Sequence, residues 1–201
     1  SPEGRGILWR ACGSTGRTCG ASGIRKMNIG LIGYRAAGKS TLGQLVSSRL
    51  GWRFLDIDRG IEQHSGQTIK ALYEEEGDAV YRDVESQVVE AMCAEKECVI
   101  AFGAGSLMRS QNQDHARRNS LLFYLELPPD VLWERIRSDP GSEETRPNLS
   151  SGGLSEVEQM LAQRTPVYRE CAHKVLDGTR STEQLAEEVL SEHDSARSTD
   201  M

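Results

Sequence analysis

Between Asn28 and Leu50 the chain reads NIGLIGYRAAGKSTLGQLVSSRL, and few folds can accommodate that stretch. Its opening, Asn28 to Ile32, is a short apolar run that is satisfied only as a buried strand. The run breaks at Gly33 into a loop that ends Gly38-Lys39-Ser40-Thr41. From there Leu42, Leu45, Val46 and Leu50 recur at three- and four-residue spacing, which is one face of a helix. Strand, G-x-x-x-x-G-K-S and helix, in that order, form the Walker A arrangement. The backbone N–H groups of such a loop, with the positive end of the following helix, make an anion site. Lys39 is placed to reach β- and γ-phosphates, and the Ser40 hydroxyl to take a Mg²⁺ position. A nucleoside triphosphate is the expected ligand.

The charge distribution narrows the remaining partners. Of a net charge of −6, residues 1–26 contribute +4, so residues 27–201 carry −10. An acidic body argues against broad nucleic-acid binding, which needs a positive face. Anionic ligands must then be met by individually placed arginines, which makes single arginines informative. No apolar run approaches the length of a membrane span, so no membrane partner is expected. The five cysteines (12, 19, 93, 98 and 171) are odd in number and irregular in spacing, and they form neither a disulfide framework nor a zinc pattern. Reduced thiols, a cytoplasmic location and a monomer are the expectations.

Residues 1–26 are rich in Gly, Ser, Thr and Arg and show no periodicity. They lack the apolar core of a secretory signal and the amphipathic face of a transit peptide, and are expected to be a disordered extension. The folded unit is expected over 27–192, with a flexible tail at 193–201. After the first helix, residues 52–56 read as a second strand, and helical spacing follows at 61–64 and at Ile69, Leu72 and Tyr73. A longer helix is expected over 78–94, with Val80, Val84, Val88 and Met92 on one side. Further strands are expected at 98–102, 121–127 and 174–176, and further helices at 131–136, 154–170 and 182–190. The polar, breaker-rich stretch at about 138–154 reads as a lid. Alternating strands and helices indicate an α/β, doubly wound, five-stranded parallel sheet with helices on both faces. Ligands belong beyond the carboxyl ends of its strands.

Four features besides the phosphate loop fall at such places. Asp56-x-Asp58 leaves the second strand, and two carboxylates so spaced can serve a metal and an acceptor hydroxyl. A helix N-terminus that favours acids gives the same pattern. Arg82 and Glu85 stand at i,i+3, where the glutamate can orient the guanidinium, although most such pairs are solvated helix faces. Gly103-Ala104-Gly105 follows the third strand, where small residues let backbone approach a ligand or merely turn. Arg146-Pro147 lies in the expected lid, with Arg164 and Tyr168 on the next helix. A lid arginine can charge-stabilise a transferring phosphoryl group, and a flat guanidinium can stack on a purine.

In this order the features resemble one family, shikimate kinase, within the nucleoside-monophosphate-kinase-like P-loop fold. The resemblance spans about Met27 to Leu190. It implies ATP binding by Gly33, Ala36, Ala37, Gly38, Lys39, Ser40, Thr41, Arg146 and Arg164. It implies shikimate binding by Asp58, Arg82, Gly103, Ala104, Gly105 and Arg164. Lys39, Asp58 and Arg146 would be catalytic, and Ser40 and Asp56 would serve Mg²⁺. Arg82 belongs to a segment similar to the family's F-R-x-x-E, whose arginine grips the shikimate carboxylate. Arg146-Pro147-Asn148-Leu149 is similar to the lid R-P-x-L, and Arg164 with Tyr168 to an adenine-side R-x-x-x-Y. Two alanines, Ala36 and Ala104, stand where the family has glycine; at a position that needs φ > 0 each would cost about 1–2 kcal/mol. The rival readings are a related small-molecule kinase of the gluconate type and a catalytically weak nucleotide-binding module.

Overall fold

Strand β1 (Asn28–Ile32) is buried along its whole length, as its apolar run requires. The computed structural model describes residues 27–138 and 153–199. The N-terminal extension, all but the ends of the expected lid (with Arg146), and the last two residues lie outside them. β2 (Arg53–Asp56), β3 (Cys98–Ala101), β4 (Ser120–Glu126) and β5 (Lys174–Asp177) complete the sheet. Its order is β2-β3-β1-β4-β5 and every pairing is parallel. Seven helices cover it among the described residues: α1 (Lys39–Leu50), α2 (Ile57–Ser65), α3 (Ile69–Ala94), α4 (Ser110–Asn119), α5 (Pro129–Ser138), α6 (Gly153–Cys171) and α7 (Thr182–Thr199).

The two-residue period of the strands sorts the core into two layers. Ile29, Leu31, Phe123 and Leu125 pack with Leu42 and Val46 of α1 and Val189 of α7 on one face. Ile32, Ile100, Leu122 and Tyr124 pack with Ile57 of α2 and Val88 and Val89 of α3 on the other. A parallel sheet buried on both faces is the expected doubly wound architecture. The connection from β1 runs to β2 on one side and that from β3 to β4 on the other, so a crevice opens at the carboxyl ends of β1 and β3. Among the described residues no helix is long and apolar enough to cross a membrane. Cys93, Cys98 and Cys171 are free and buried, and burial pushes the Cys93 thiol up to about 12.

Three expectations need correction. The helix α4 was not foreseen, because its sequence, SQNQDHARRN, has no apolar period, and only Asn112 and Ala116 are buried. On α3 the expected side holds at Val88 and Met92, which are buried, and at Val84, which packs against the core, but Val80 is 40% exposed, and Tyr81, Glu85 and Val89 also turn inward. Gly77, with φ 85°, breaks the helical backbone just upstream and resets the phase of the later turns. The third correction is the tail. α7 continues helically to Thr199, and His193 is only 2% exposed, its ring set edge-on to Trp52 with centroids 5.1 Å apart.

That histidine makes stability depend on pH. Burial lowers its pKa, and Arg197 adds to this, while Asp194, whose Oδ1 lies 3.2 Å from Nδ1, opposes it. The unfolded chain then binds a proton near pH 6.5 that the folded chain refuses. Stability should therefore fall as pH drops from about 6.5 toward the lowered folded value, and lose nothing further from this group below it. The melting temperature of His193→Phe should show a shallower decline between pH 7.5 and 5.5 than that of the parent. Equal slopes would show that the end of α7 does not bury this ring.

Candidate active site

The phosphate loop ends at Gly38, whose φ of 97° is open to glycine at little cost, and α1 begins at the next residue. No side chain caps this helix, and its first turn carries no acid. Its N–H groups thus present an uncompensated positive end, suited to an anion. Lys39 folds back over the loop, its Nζ donating to the carbonyls of Gly33 at 3.0 Å and Tyr34 at 2.7 Å. Ala36 has φ 57°, so the first of the two alanines does occupy a left-handed position and carries the associated strain. The loop opens on a cleft of about 720 Å³, lined from Arg35 to Thr41 and by Asp56, Asp58, Gly103 and Ala104.

Asp56 has two tasks, one per oxygen. Its Oδ1 caps α2, accepting from the N–H groups of Asp58 at 3.1 Å and Arg59 at 3.4 Å. Its Oδ2 accepts from the Ser40 hydroxyl at 2.9 Å. The capping role and the metal-side role are therefore compatible. The pair offers two hard oxygens at the cleft floor, and among the described residues no group of three or more His, Cys, Asp or Glu forms a closed metal cage. Such a sparse donor set fits Mg²⁺, which keeps water and takes phosphate oxygens for its other positions.

Across the cleft, the turn after β3 brings the acceptor-side residues together. A Cβ added at Gly103 would lie 2.7 Å from Asp58 Oδ1 and 2.8 Å from Ser106 Oγ. One added at Gly105 would lie 2.8 Å from Arg82 Nη1. The turn is thus a narrow shelf between Asp58 and Arg82. Arg82 Nη1 donates to Glu85 Oε2 at 2.8 Å, and Glu85 is 1% exposed, so this i,i+3 pair is not a solvated helix face. Burial acts to lower the pKa of Arg82, but the Glu85 carboxylate outweighs it and the guanidinium is held above its ordinary value. Ala104 does not share the strain of Ala36: it is not among the residues with positive φ. Its carbonyl accepts from the Tyr168 hydroxyl, which ties the shelf to α6.

Arg164 is not among the residues that line the cleft, but it stands beside the phosphate loop. Its guanidinium sits 5.6 Å from the ring centroid of Tyr34 and acts electrostatically on Tyr168, the residue that holds the Ala104 carbonyl. Arg164 therefore stands between the phosphate loop, through Tyr34, and the shelf, through Tyr168. Arg146 lies outside the described residues. Sequence reasoning overlooked Arg135 on α5, which lines the cleft and donates to the carbonyls of Ala37 at 3.4 Å and Gly178 at 3.3 Å. A basic residue in a last helical turn also complements the helix dipole, which concealed it. The available signal was its place between Leu132 and Ile136, two buried residues of one helix face.

Sequence and fold match those of known proteins. The family model described as shikimate kinase matches residues 35–194. A shikimate kinase of Oleidesulfovibrio alaskensis is 35% identical over 163 residues, 81% of this chain and 94% of its own length. The shikimate kinase 2 of Yersinia pestis is 36% identical over 163 residues, 81% of this chain and 92% of its own. A shikimate kinase from Acinetobacter baumannii, solved in complex with shikimate, superposes with a TM-score of 0.79 at 29% identity, covering 86% of this chain and 96% of that one. A gluconokinase from Sinorhizobium meliloti, at 18% identity and a TM-score of 0.53, shares the fold alone. The phosphate loop, Asp56, Asp58, Gly103 and Ala104 line one cleft, and the chain belongs to the shikimate kinase family.

Proposed function

We propose that this chain transfers the γ-phosphoryl group of ATP to the 3-hydroxyl of shikimate, giving shikimate 3-phosphate and ADP. The observation that carries the reading is the acceptor shelf: Asp58 and Arg82 converge on Gly103 and Gly105, and Asp58 and Gly103 line the same cleft as the phosphate loop. A hydroxy-acid acceptor needs both a group for its hydroxyl and a cation for its carboxylate, and the shelf offers one of each.

In the mechanism the chain's residues mainly position and neutralise. The uncapped end of α1 and the loop N–H groups hold the phosphates, with Lys39 exchanging its loop carbonyls for the β- and γ-phosphate oxygens. Ser40 and Asp56 would hold Mg²⁺, which supplies further charge neutralisation once bound. Asp58 orients the attacking hydroxyl and accepts its proton. Arg82 meets the acid's carboxylate with its planar fork, and Arg164 adds positive charge on the same side. Arg135 flanks the nucleotide. Arg146 keeps the role its motif implies, a charge on the transferring group. The chain is assigned to the cytoplasm as a monomer.

Measuring ADP release with shikimate, with gluconate and without acceptor tests the reading. Shikimate alone should raise ADP release above the background rate. Stimulation by gluconate alone would return the gluconate-type alternative, and no stimulation at all the silent nucleotide-binding module. Arg82→Lys tests the acceptor site itself. Lysine keeps the charge but has no fork, so about 1–3 kcal/mol of acceptor binding should be lost, read as a raised KM for shikimate with little change for ATP. Equal losses for both substrates would place Arg82 outside the acid's site.

A further inference from the structure

Ser106 is completely buried in the one-turn helix Ser106–Met108, immediately after the acceptor shelf. Its hydroxyl donates to Glu85 Oε1 at 2.8 Å, across 21 residues of sequence. The other carboxylate oxygen of Glu85 holds Arg82. A carboxylate this deeply buried has one stable orientation when both oxygens are engaged and is costly when one is not. The main chain of Ser106 is fixed as well: its N–H donates to the Gly103 carbonyl at 3.0 Å, and its own carbonyl accepts from Asn112 Nδ2 at 2.7 Å. The hydroxyl is therefore a donor mounted on a rigid turn and aimed at one oxygen of a buried glutamate.

We propose that Ser106 is a positioning residue for the acid acceptor, setting through Glu85 the direction in which Arg82 presents its guanidinium. The proposal rests on the assignment of Arg82 to the acid's carboxylate. Its physical content is a relay of three side chains, Ser106 to Glu85 to Arg82, that ties the shelf after β3 to the helix α3. Asp58 and Arg82, carried by different helices, then keep a fixed separation because both are referred to the same turn. A purely structural hydroxyl would satisfy a buried oxygen and do no more. The two roles part in the kinetics.

The test uses the full chain with Ser106→Ala, Ser106→Cys, Arg82→Lys and the double variant Ser106→Ala/Arg82→Lys, with shikimate and ATP as substrates. Ser106→Ala should raise the KM for shikimate about tenfold, and leave kcat and the KM for ATP within about twofold. Ser106→Cys, close in size and a weak donor, should fall between parent and alanine, and supplies the measurement if the alanine variant does not fold. Once lysine has replaced the fork there is less for Ser106 to aim, so in the double variant the serine change should add less than about threefold. A similar fall in kcat and in affinity for both substrates, or the full tenfold effect persisting on Arg82→Lys, would overturn the proposal. An unchanged shikimate KM in Arg82→Lys removes the reading of Arg82 and the proposal with it. A raised KM there beside an unchanged one in the Ser106 variants removes the role of Ser106 alone.

Discussion

Lys39→Ala should lower kcat for phosphoryl transfer by about a thousandfold or more while the protein stays folded. The ammonium is held by the phosphate loop's own backbone, reaching the carbonyls of Gly33 and Tyr34. Removing it takes away a positioned charge that meets the transferring group as negative charge shifts there. The effect on stability is smaller. The two loop carbonyls can turn to water, so the loss is on the order of 1 kcal/mol, a fall of roughly 2–4 °C in melting temperature for a domain this size. Kinetics with saturating shikimate, paired with a thermal melt, separates the two quantities. Turnover within tenfold of the parent would remove Lys39 from the chemistry, and loss of the folded signal would make it a structural lysine.

That loop was legible because its parts are consecutive. A buried strand, a glycine loop and a helix face can each be read locally, and the anion site follows from backbone alone. The acceptor side was harder to weigh because its meaning is tertiary. Arg82 and Glu85 look like a surface pair on a helical wheel, and only the approach of Ser106 and the Gly103 turn buries the glutamate. On α3 the expected side holds at Val84, Val88 and Met92, but Val80 lies exposed and the polar Glu85 turns inward, where Arg82 and Ser106 engage its carboxylate. The helix α4 had no hydrophobic period to betray it, and the end of α7 packs through buried His193 against Trp52 and through Ala196 against the core. Of the two alanines, sequence could pose the question of φ but not answer it. Ala36 is left-handed, whereas Ala104 is held by Tyr168 and is not among the residues with positive φ.

The same turn yields the sharpest contrast between neighbouring residues. Gly103→Ala should reduce kcat by about a hundredfold, because a displacement near 1 Å at a reacting group has that scale of effect. The added methyl would stand 2.7 Å from Asp58 Oδ1 and 2.8 Å from Ser106 Oγ, closer than real contacts allow. Ser106 cannot retreat, being fully buried and bonded on three sides, so the displacement falls on the partly exposed Asp58. Overpacking should also cost about 1–3 kcal/mol of stability. Gly105→Ala presses instead on Arg82 Nη1 at 2.8 Å. It should therefore raise the shikimate KM about tenfold while disturbing kcat less. Between them Ala104→Gly should shift acceptor affinity by less than about 1 kcal/mol, since its backbone is already relaxed. Three substitutions in consecutive residues thus predict three different kinetic signatures: one in kcat, one in KM and one nearly silent. If Gly103→Ala and Gly105→Ala lose kcat and KM in the same proportion, the turn acts only as a scaffold, and the separation of Asp58 from Arg82 across it has no catalytic meaning.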